Sequence, residues 1–302
     1  MAKLYEQAWL GNGLVPLGEA NLSVASSAVL YGLSVYTVFP IVPTEQGFAA
    51  FRIGDHFKRL TDSAKIIGID TPTEWTFESF TKVVTAVTSA NEPKEKVFAR
   101  ATIHVQELVP GTRSRGLKTI LSIFLYEAAP ILPADGVRLK TSVWRRVPDY
   151  AIPSRAKVNG AYVNSVLAKQ DALDSGYDDC IFLDSIGHVC ELSAGNIFIV
   201  RDGMLITPSV ASDVLEGITR RTILQLAEQA GIPCAERAVD LTELYLADEV
   251  FVTGTSANIA SVVEIDKRTA ANAPGPVTTC LREAYAHAMA GEGDTQWLTL
   301  LG

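Results

Sequence analysis

The stretch that decides the fold of this chain runs from Lys157 to Arg220. It contains three motifs, which read KVNGAY at 157–162, ELSAGN at 191–196 and LEGITR at 215–220. They bring together an amine (Lys157), a phenol (Tyr162), a carboxylate (Glu191) and an amide (Asn196). Short apolar segments and turns separate the motifs, so the stretch predicts a helix, several short strands and a second helix that starts at Gly217.

The composition of the chain limits the classes of protein to consider. With 302 residues, 48% of them hydrophobic, the chain can form a large core and about two domains. The net charge of −8 argues against a nucleic-acid partner. The four cysteines show no CxxC spacing, so neither a disulfide framework nor a metal site is expected. No apolar run approaches the roughly 20 residues that a membrane helix needs, and the N-terminus shows no apolar signal core, so we expect a soluble cytoplasmic protein.

The N-terminal part of the chain mixes strand and helix patterns. The predicted elements are a hairpin over 4–15 around Asn12-Gly13, a strand over 35–42 ending at Pro40 or Pro43, a helix over 56–68 capped by Asp55, a helix over 74–90 with Thr73 as N-cap, and strands over 97–105 and 117–126. This part forms the expected smaller α/β domain, residues 1–126.

A proline-containing segment over 127–135 is the expected interdomain linker, and 136–302 is the expected larger domain. It contains a helix over 159–175, expected to bury Val163, Val166, Leu167 and Ala172, and a helix over 217–231 that ends at Gly231. Because strands and helices follow each other without a regular βαβα alternation, the predicted fold class is α+β.

The three motifs suit one ligand. An imine-forming lysine needs an uncharged amine, and the small and apolar neighbours of Lys157 suit a buried one, although such a lysine on its own is more often solvated. Glu191 lies in an apolar segment, where an unpaired carboxylate would be costly. The helix start at Gly217 offers backbone N–H groups to a phosphate. Pyridoxal 5'-phosphate (PLP) is phosphorylated, cationic and aromatic and forms an imine, so we expect it as the cofactor.

The segment from Glu191 to Arg220 resembles the signature of class IV PLP-dependent aminotransferases. The signature positions are Glu191, Ser193, Asn196-Ile197-Phe198, Leu205-Ile206-Thr207 and Leu215 to Arg220. The resemblance to branched-chain aminotransferases covers nearly the whole chain, through HFKRLTDSAK at 56–65, KVNGAY at 157–162 and ADEVFVTGT at 247–255. It implies a two-domain fold-type-IV enzyme, like the D-amino acid and branched-chain aminotransferases.

The resemblance also implies roles for individual residues. Lys157 is the catalytic residue, which forms the imine and moves the proton, Tyr162 binds the phenolic oxygen of PLP, and Glu191 pairs with its pyridine nitrogen. The other implied cofactor-binding residues are Arg59, Asn196, Leu215, Gly217, Ile218, Thr219, Gly254 and Thr255. The implied substrate residues are Tyr31, Tyr36, Val38, Pro40, Phe98, Arg100, Ser256 and Ala257. The family further implies a homodimer in which loops of the partner near Tyr31 and Val109 reach the site.

The residues implied to bind the substrate depart from the branched-chain pattern at two places. Where branched-chain aminotransferases usually have F-E-G-I-R, this chain has YTVFP at 36–40, and it has Phe98-Ala99-Arg100 in place of Y-I-R. A basic residue and a tyrosine hydroxyl are therefore missing, and the substrate-carboxylate subsite should be more apolar. The Tyr36-x-Val38-x-Pro40 pattern is similar to that of (R)-selective amine transaminases. We therefore expect a ping-pong transaminase that uses an (R)-amine or a branched-chain or neutral amino acid with a 2-keto acid, with a slight preference for the (R)-amine reading. A branched-chain L-amino-acid aminotransferase is the alternative. Aminodeoxychorismate lyase is a further alternative, because residues 112–116 of this chain resemble a loop of that enzyme.

Overall fold

In the computed structural model, which describes residues 2–71, 74–129, 132–133, 136–292 and 296–302, the chain divides into two compact units. The N-terminal unit comprises Met1–Ala129, Ala156–Ala161 and Ala288–Gly302, and the second unit comprises Pro130–Arg155 and Tyr162–His287. Two late segments, one of them carrying Lys157, thus belong to the N-terminal unit. The expected division at 127–135 stays a prediction, since Pro130, Ile131, Ala134 and Asp135 lie outside the described residues. In the described part of the chain, no helix combines the length and apolar content needed to cross a membrane.

The secondary structure mixes strands and helices along the whole chain, which confirms the α+β class. The strands are β1 (Lys3–Leu10), β2 (Gly13–Pro16), β3 (Ser34–Thr44), β4 (Gly47–Phe51), β5 (Val97–Val105), β6 (Thr119–Glu127), β7 (Val137–Thr141), β8 (Asp179–Leu183), β9 (Val189–Leu192), β10 (Asn196–Arg201), β11 (Met204–Pro208), β12 (Cys234–Arg237), β13 (Glu249–Gly254), β14 (Asn258–Ile265), β15 (Arg268–Thr269) and β16 (Leu298–Leu301). The α-helices are α1 (Ser27–Tyr31), α2 (Ile53–Ile67), α3 (Phe77–Asn91), α4 (Tyr162–Asp174), α5 (Ile218–Gln229), α6 (Leu241–Leu244) and α7 (Pro276–Ala290).

The N-terminal unit is built on a seven-stranded antiparallel sheet in the order β16-β4-β3-β5-β6-β1-β2. One face of β3 and β5 buries apolar side chains such as Phe39 and Ile103 together with Leu60 of α2 and Val84 of α3. Because side chains alternate along a strand, the even-numbered residues of β3 and β5 lie on the opposite face. This second face carries most of the predicted substrate residues.

The prediction that β3 ends at Pro40 or Pro43 is wrong, because the strand continues through both prolines to Thr44. The pairing register explains why both prolines are tolerated. β3 pairs with β5 from Ser34 to Ile41 and with β4 only from Ile41 onwards. Each proline therefore has a partner strand on one side only, as at a sheet edge, where a missing N–H leaves no ladder bond unmade.

The starts of two helices differ from the sequence prediction. Arg52, in the left-handed conformation with φ 52°, is the N-cap of α2, and the predicted cap Asp55 lies in the first turn instead, where it accepts a 2.6 Å hydrogen bond from Arg52 Nε. The N-cap of α3 is Thr76, which forms a capping box with Ser79, while the predicted cap Thr73 lies outside the described residues. The predicted C-terminus of α2 is confirmed, since Gly68 adopts the left-handed conformation there.

The second unit contains a nine-stranded mixed sheet that closes on itself. Its strands follow the order β12-β11-β10-β13-β14-β7-β8-β9, with β15 beside β14. An additional pairing of Asn196 with Glu191 joins β10 to β9, so the path from β10 through β13, β14, β7, β8 and β9 returns to β10. Strand β14 was not predicted from the sequence. In the structure its residues show the partly alternating burial that is typical of a strand.

Helix α4 buries a different face from the one predicted. Val163, Val166 and Leu167 are 64%, 63% and 41% exposed, so the prediction is wrong for these three residues. The helix instead buries Ser165, Ala168 and Ala172, of which Ala172 was predicted. Ala168 and Ala172 pack in a cluster with Phe182, Tyr177 and Cys180. Bulky side chains from outside the helix fill the interior, so the helix contributes its small residues there.

Candidate active site

Lys157 lies in a short extended segment that pairs with β3. The amide of Tyr36 donates to the carbonyl of Lys157 at 3.0 Å, and the amide of Asn159 donates to the carbonyl of Ser34 at 2.9 Å. Between them, Val158 forms a bridge with Val35. The backbone of Lys157 is therefore held at a defined position along β3, opposite Tyr36.

Three of the predicted residues meet around the ring of Tyr36. Lys157 Nζ lies 4.9 Å from the ring centroid, and the guanidinium carbon of Arg100 lies 3.7 Å from it. Both are cation–π distances. Arg100 also donates a 3.0 Å hydrogen bond to Asn159 Oδ1, and Asn159 Nδ2 donates to Ser34 Oγ at 2.6 Å. The predicted catalytic lysine and the predicted substrate-binding arginine thus share one aromatic neighbour.

The remaining predicted substrate residues of β3 and β5 extend this arrangement along the sheet. Val38 lies opposite Arg100, and Pro40 lies opposite Phe98. All of these side chains share one face with Tyr36 and, except for Arg100, are buried and apolar in character. Phe98 has no hydroxyl of its own, but Tyr126 lies opposite it on β6 with 5.6 Å between ring centroids. At Val38, Pro40 and Phe98 the face is apolar around the guanidinium of Arg100.

Arg59, predicted to bind the cofactor, lies on α2 with a buried hydroxyl beside it. Arg59 Nη2 donates to Thr37 Oγ1 at 3.3 Å, and Thr37 Oγ1 lies 2.7 Å from His56 Nδ1. A guanidinium can only donate, so Thr37 Oγ1 accepts from Arg59. The Thr37 hydroxyl therefore joins Arg59 to the ring of His56 inside the N-terminal unit.

Tyr31 and Val109, predicted to lie near a partner subunit, are both exposed in the N-terminal unit. Tyr31 is the last residue of α1, and Gly32 follows it in the left-handed conformation. Ser26 forms a bridge with Leu108, and the amide of Val109 donates to the carbonyl of Ala25 at 3.0 Å. The two predicted partner-contacting loops are therefore joined to each other.

In the second unit, Glu191 is buried with donors on both carboxylate oxygens. Arg146 Nη2 pairs with Oε1 at 2.9 Å, while Oε2 accepts from Asn196 Nδ2 at 3.2 Å and from the amide of Leu215 at 3.1 Å. Asn196 Nδ2 also donates to the carbonyl of Leu215 at 3.0 Å. Hydrogen bonds from three donors favour the ionised carboxylate, which is the form that a pyridinium nitrogen requires as a partner.

The N-terminus of α5 has the form of a phosphate-binding helix start. Gly217 is the N-cap in an extended conformation, and within the described chain its helix has no side-chain cap. A Cβ atom at position 217 would clash with Oδ1 of Asn196, so a larger residue would displace the amide that bonds to Glu191 and Leu215. Ile218 and Thr219 follow as buried first-turn residues. The first N–H groups of the helix and the Thr219 hydroxyl are the donors that suit a phosphate.

Four further predicted residues, Gly254 to Ala257, form the end of β13 and the turn that leads to β14. It lies close to the turn over 193–195, since a Cβ atom at Gly195 would approach the carbonyl oxygen of Thr253 to 2.7 Å. Thr255 and Ser256 are partly exposed, and Tyr162 is the first residue of α4. The roles predicted for these three residues stay predictions.

Several residues in direct contact with the predicted site were missed from the sequence. Arg146 pairs with Glu191, Asn159 holds Arg100, and Thr37 and Ser63 bond to Arg59. Arg146 lies after β7 and outside any sequence motif. The hydroxyls of Thr37 and Ser63 have no pattern that distinguishes them from other hydroxyls in the sequence. Asn159 could have been suspected, since it lies inside the KVNGAY motif.

Each unit, taken by itself, has groups that fit a part of PLP. The second unit has a buried carboxylate that three donors contact and a helix start capped by glycine, and the N-terminal unit has an amine on a fixed backbone. The sequence profile of the family described as Amino-transferase class IV matches residues 34–265. The chain belongs to this family and is a PLP-dependent aminotransferase.

The chain is similar to relatives and solved structures that are named branched-chain aminotransferases. The chain is 36% identical to a probable branched-chain-amino-acid aminotransferase of Aquifex aeolicus, over 97% of this chain and 96% of the relative. It is similar to the crystal structure of the branched-chain aminotransferase of Thermoproteus uzoniensis with norvaline, at TM-score 0.94 and 37% identity over 99% of this chain and 100% of that one. It is also similar to the branched-chain amino acid aminotransferase of Thermobaculum terrenum in its PLP form, at TM-score 0.91 and 30% identity over 99% of each chain.

Proposed function

We propose that this chain is a branched-chain amino acid aminotransferase, which transfers the amino group of a branched-chain L-amino acid to a 2-keto acid by a ping-pong mechanism. The observation that carries the proposal is the face of β3 and β5, where Tyr36, Val38, Pro40 and Phe98 surround a single guanidinium, that of Arg100. Apolar side chains suit an aliphatic substrate side chain, and a guanidinium suits a carboxylate. The names of the relatives support the same substrate class.

The cofactor-binding residues are assigned by the same proposal. Lys157 attaches PLP, Glu191 pairs with the pyridine nitrogen, and Tyr162 binds the phenolic oxygen. Arg59, Ile218, Thr219 and Thr255 bind the phosphate, while Leu215 packs on the ring. When bound, PLP acts as an electron sink that acidifies the Cα–H bond of the substrate.

The residues of the chain then have separate tasks in turnover. Lys157 Nζ takes the proton from the substrate Cα and returns it. Arg146, Asn196 and the Leu215 amide keep Glu191 ionised throughout, because all three donate to its carboxylate. Arg100 binds the substrate carboxylate, and its contacts with Tyr36 and Asn159 orient the guanidinium.

An (R)-amine donor, favoured slightly by the sequence, receives no support from the named relatives, which are branched-chain aminotransferases. One observation keeps it as the second candidate. Pro40 and Phe98 lie opposite each other where a basic residue and a tyrosine hydroxyl would strengthen carboxylate binding. The lyase alternative has no comparable support, since the 112–116 loop contributes Arg115 to a surface groove beside Asp62, Lys65 and Asp70.

A half-reaction separates these candidates. Purified holoenzyme without an acceptor is mixed with L-leucine or with (R)-1-phenylethylamine, and the absorbance of the lysine-bound cofactor is followed. Rapid loss of absorbance with leucine alone is expected. Loss with the amine alone would replace the branched-chain proposal by the (R)-amine one, and loss with neither would exclude both. A Lys157→Ala variant is the control that should not respond.

We also propose that the enzyme is a homodimer. Val24, Leu108 and Val109 are 79%, 56% and 70% exposed, and Val29, Leu30 and Tyr31 of α1 are exposed apolar residues of the same part of the N-terminal unit. An exposed apolar patch of joined loops is typical of a protein–protein interface. Val109→Asp should shift the mass measured by light scattering from dimer to monomer. Ile186→Asp, at an exposed turn of the second unit, is the matched control, and a monomeric wild-type protein would contradict the proposal.

A cytoplasmic location is part of the same proposal. Cys180, Cys190, Cys234 and Cys280 are free thiols. Free thiols of this number suit a reducing compartment. Burial raises the pKa of the Cys180 and Cys190 thiols well above the ordinary range, so these two should be unreactive.

A further inference from the structure

Ser63 is a buried residue of α2 whose hydroxyl joins two distant parts of the N-terminal unit. Ser63 Oγ donates to the carbonyl of Arg59 at 2.7 Å and accepts from the backbone amide of Lys157 at 3.0 Å. The side chain is fully buried. An amide can only donate and a carbonyl can only accept, so the direction of both hydrogen bonds is fixed. One oxygen atom therefore connects the helix turn of Arg59 to the backbone of Lys157.

The second bond distinguishes Ser63 from an ordinary helical hydroxyl. Serine and threonine within helices commonly donate to the carbonyl four residues before them. Thr88 of α3 does so, with its buried Oγ1 donating to Val84 at 2.8 Å, and among the described residues this hydroxyl has no further partner. Ser63 makes the same local bond and also accepts a bond from a residue 94 positions later in the chain. Thr88 is therefore a matched control for Ser63.

We propose that Ser63 is a positioning residue that couples Arg59 to Lys157, an inference that rests on the proposed function. If Arg59 binds the phosphate of PLP and Lys157 attaches its aldehyde carbon, the two interactions help each other only when their separation is fixed. The Ser63 hydroxyl fixes the backbone of Lys157 against the turn that carries Arg59. Without it, the Lys157 amide loses a buried acceptor and the 156–161 segment moves relative to α2. Attachment and phosphate binding then compete instead of cooperating.

The coupling has a signature that a general loss of stability would not produce. Pyridoxal has the aldehyde of PLP but no phosphate, so it does not depend on the separation between Arg59 and Lys157. Removing the Ser63 hydroxyl should weaken PLP binding by about tenfold, which is the effect of losing one buried hydrogen bond, and leave pyridoxal binding unchanged. The preference for PLP over pyridoxal, taken as the ratio of the pyridoxal to the PLP dissociation constant, falls by the same factor.

The experiment measures this ratio in the full-length apo-protein. The apparent dissociation constants of PLP and pyridoxal are determined from the absorbance of the lysine-bound form for the wild type and for Ser63→Ala, Ser63→Cys, Ser63→Thr and Thr88→Ala. Ser63→Ala and Ser63→Cys should lower the ratio by about tenfold, since a thiol is a weak acceptor. Ser63→Thr, which keeps the hydroxyl, and Thr88→Ala should retain the wild-type ratio.

Two results would overturn the inference in distinguishable ways. A wild-type protein that binds PLP through Lys157 together with an unchanged ratio in Ser63→Ala would reject the role of Ser63 and leave the proposed function intact. A wild-type protein that fails to attach PLP at Lys157 would reject the proposed function, and this inference with it.

Discussion

The two compact units assemble their predicted site residues in different ways. In the second unit, Glu191, Asn196, Leu215 and Gly217 follow one another closely along the chain, and the first three bond directly to each other. In the N-terminal unit, the cluster around Lys157 is drawn from β3, α2, β5 and the returning 156–161 segment. The first arrangement is local and centred on a buried charge, while the second depends on contacts between distant segments.

The difference determines how each unit responds to substitution. In the cluster of Arg59, Arg100 and Lys157 the acceptors are neutral groups, namely the hydroxyls of Thr37 and Ser63 and the amide of Asn159. Around Glu191 the central contact is a buried ion pair with Arg146. Loss of one neutral acceptor costs about 1–3 kcal/mol, whereas an unpaired buried charge costs about 3–5 kcal/mol. We therefore expect variants of the N-terminal cluster to affect chemistry first, and variants of the Glu191 cluster to affect folding as well.

The largest effect is expected for Lys157→Ala, which tests the N-terminal side of this comparison. The variant should lose at least about 10³-fold in kcat, because the group that moves the substrate proton is removed. Thermal unfolding of the protein without cofactor should change little, because the backbone bonds of residue 157 to Tyr36 and Ser63 do not involve the side chain. Lys118→Ala, at an exposed position, is the control. Turnover retained by Lys157→Ala would reject its assignment.

Substitutions of the Glu191–Arg146 ion pair test the second-unit side of this comparison. Glu191→Gln should lower the free energy of unfolding by about 3–5 kcal/mol, because it leaves Arg146 buried opposite a neutral group. Adding Arg146→Met should recover part of the loss, since an apolar replacement of a buried pair is often tolerated. Urea unfolding measures both. Glu78→Gln, which breaks an exposed helical pair with Lys82, should cause no measurable change. An equal loss in the single and double variants would contradict the argument.

His104 of β5 gives the N-terminal unit a pH dependence of its own. Burial, and to a smaller extent the nearby charge of Arg100, lowers the pKa of His104 from 6.5 to about 4. The unfolded chain therefore binds a proton between about pH 6.5 and pH 4 that the folded chain excludes, and the free energy of unfolding should fall as the pH falls through this window. A difference of this size between the folded and unfolded pKa corresponds to about 3 kcal/mol.

Comparison with a variant isolates this contribution from other titrating groups. His104→Gln retains a side chain that can bond to Ser122, which lies 2.8 Å from His104 Nε2. Unfolding in urea is measured for both proteins at pH 7 and pH 4.5. The wild type should lose more stability than the variant on acidification, and equal losses would show that His104 is protonated in the folded protein.

The contrast between the local Glu191 cluster and the dispersed Lys157 cluster explains how much of the site could be predicted from the sequence. The Glu191 cluster was predictable because its residues fall within one continuous signature, whose spacing is set by two strands and a helix start. Lys157, Arg59 and Arg100 were found through separate motifs that the resemblance provided. Thr37, Ser63 and Arg146 were missed, because a hydroxyl or a cation acquires its role only from the partner that folding brings to it.

The fold shows the same limit. Strand β5, the end of α2 at Gly68 and helix α5 follow local patterns and were predicted. The continuation of β3 through Pro40 and Pro43 depends on which side of the strand is paired, and this register is set by β4 and β5 rather than by the prolines. Local preference thus predicts elements, while the partners of an element decide where it ends and which face it buries.

Helix α4, which begins the return of the chain to the second unit, allows the smallest-effect test of this rule. Val166 was predicted to be inward but is 63% exposed, whereas Ala168 is fully buried beside Phe182 and Cys180. Val166→Ala should therefore change the free energy of unfolding by less than about 0.5 kcal/mol. Ala168→Val should cost about 1–3 kcal/mol, because the added methyl groups have no space against the strand. The two substitutions exchange the same side chains in one helix, so the reverse order of effects would mean that the apolar pattern of the sequence, and not the packing of small residues, selects the buried face.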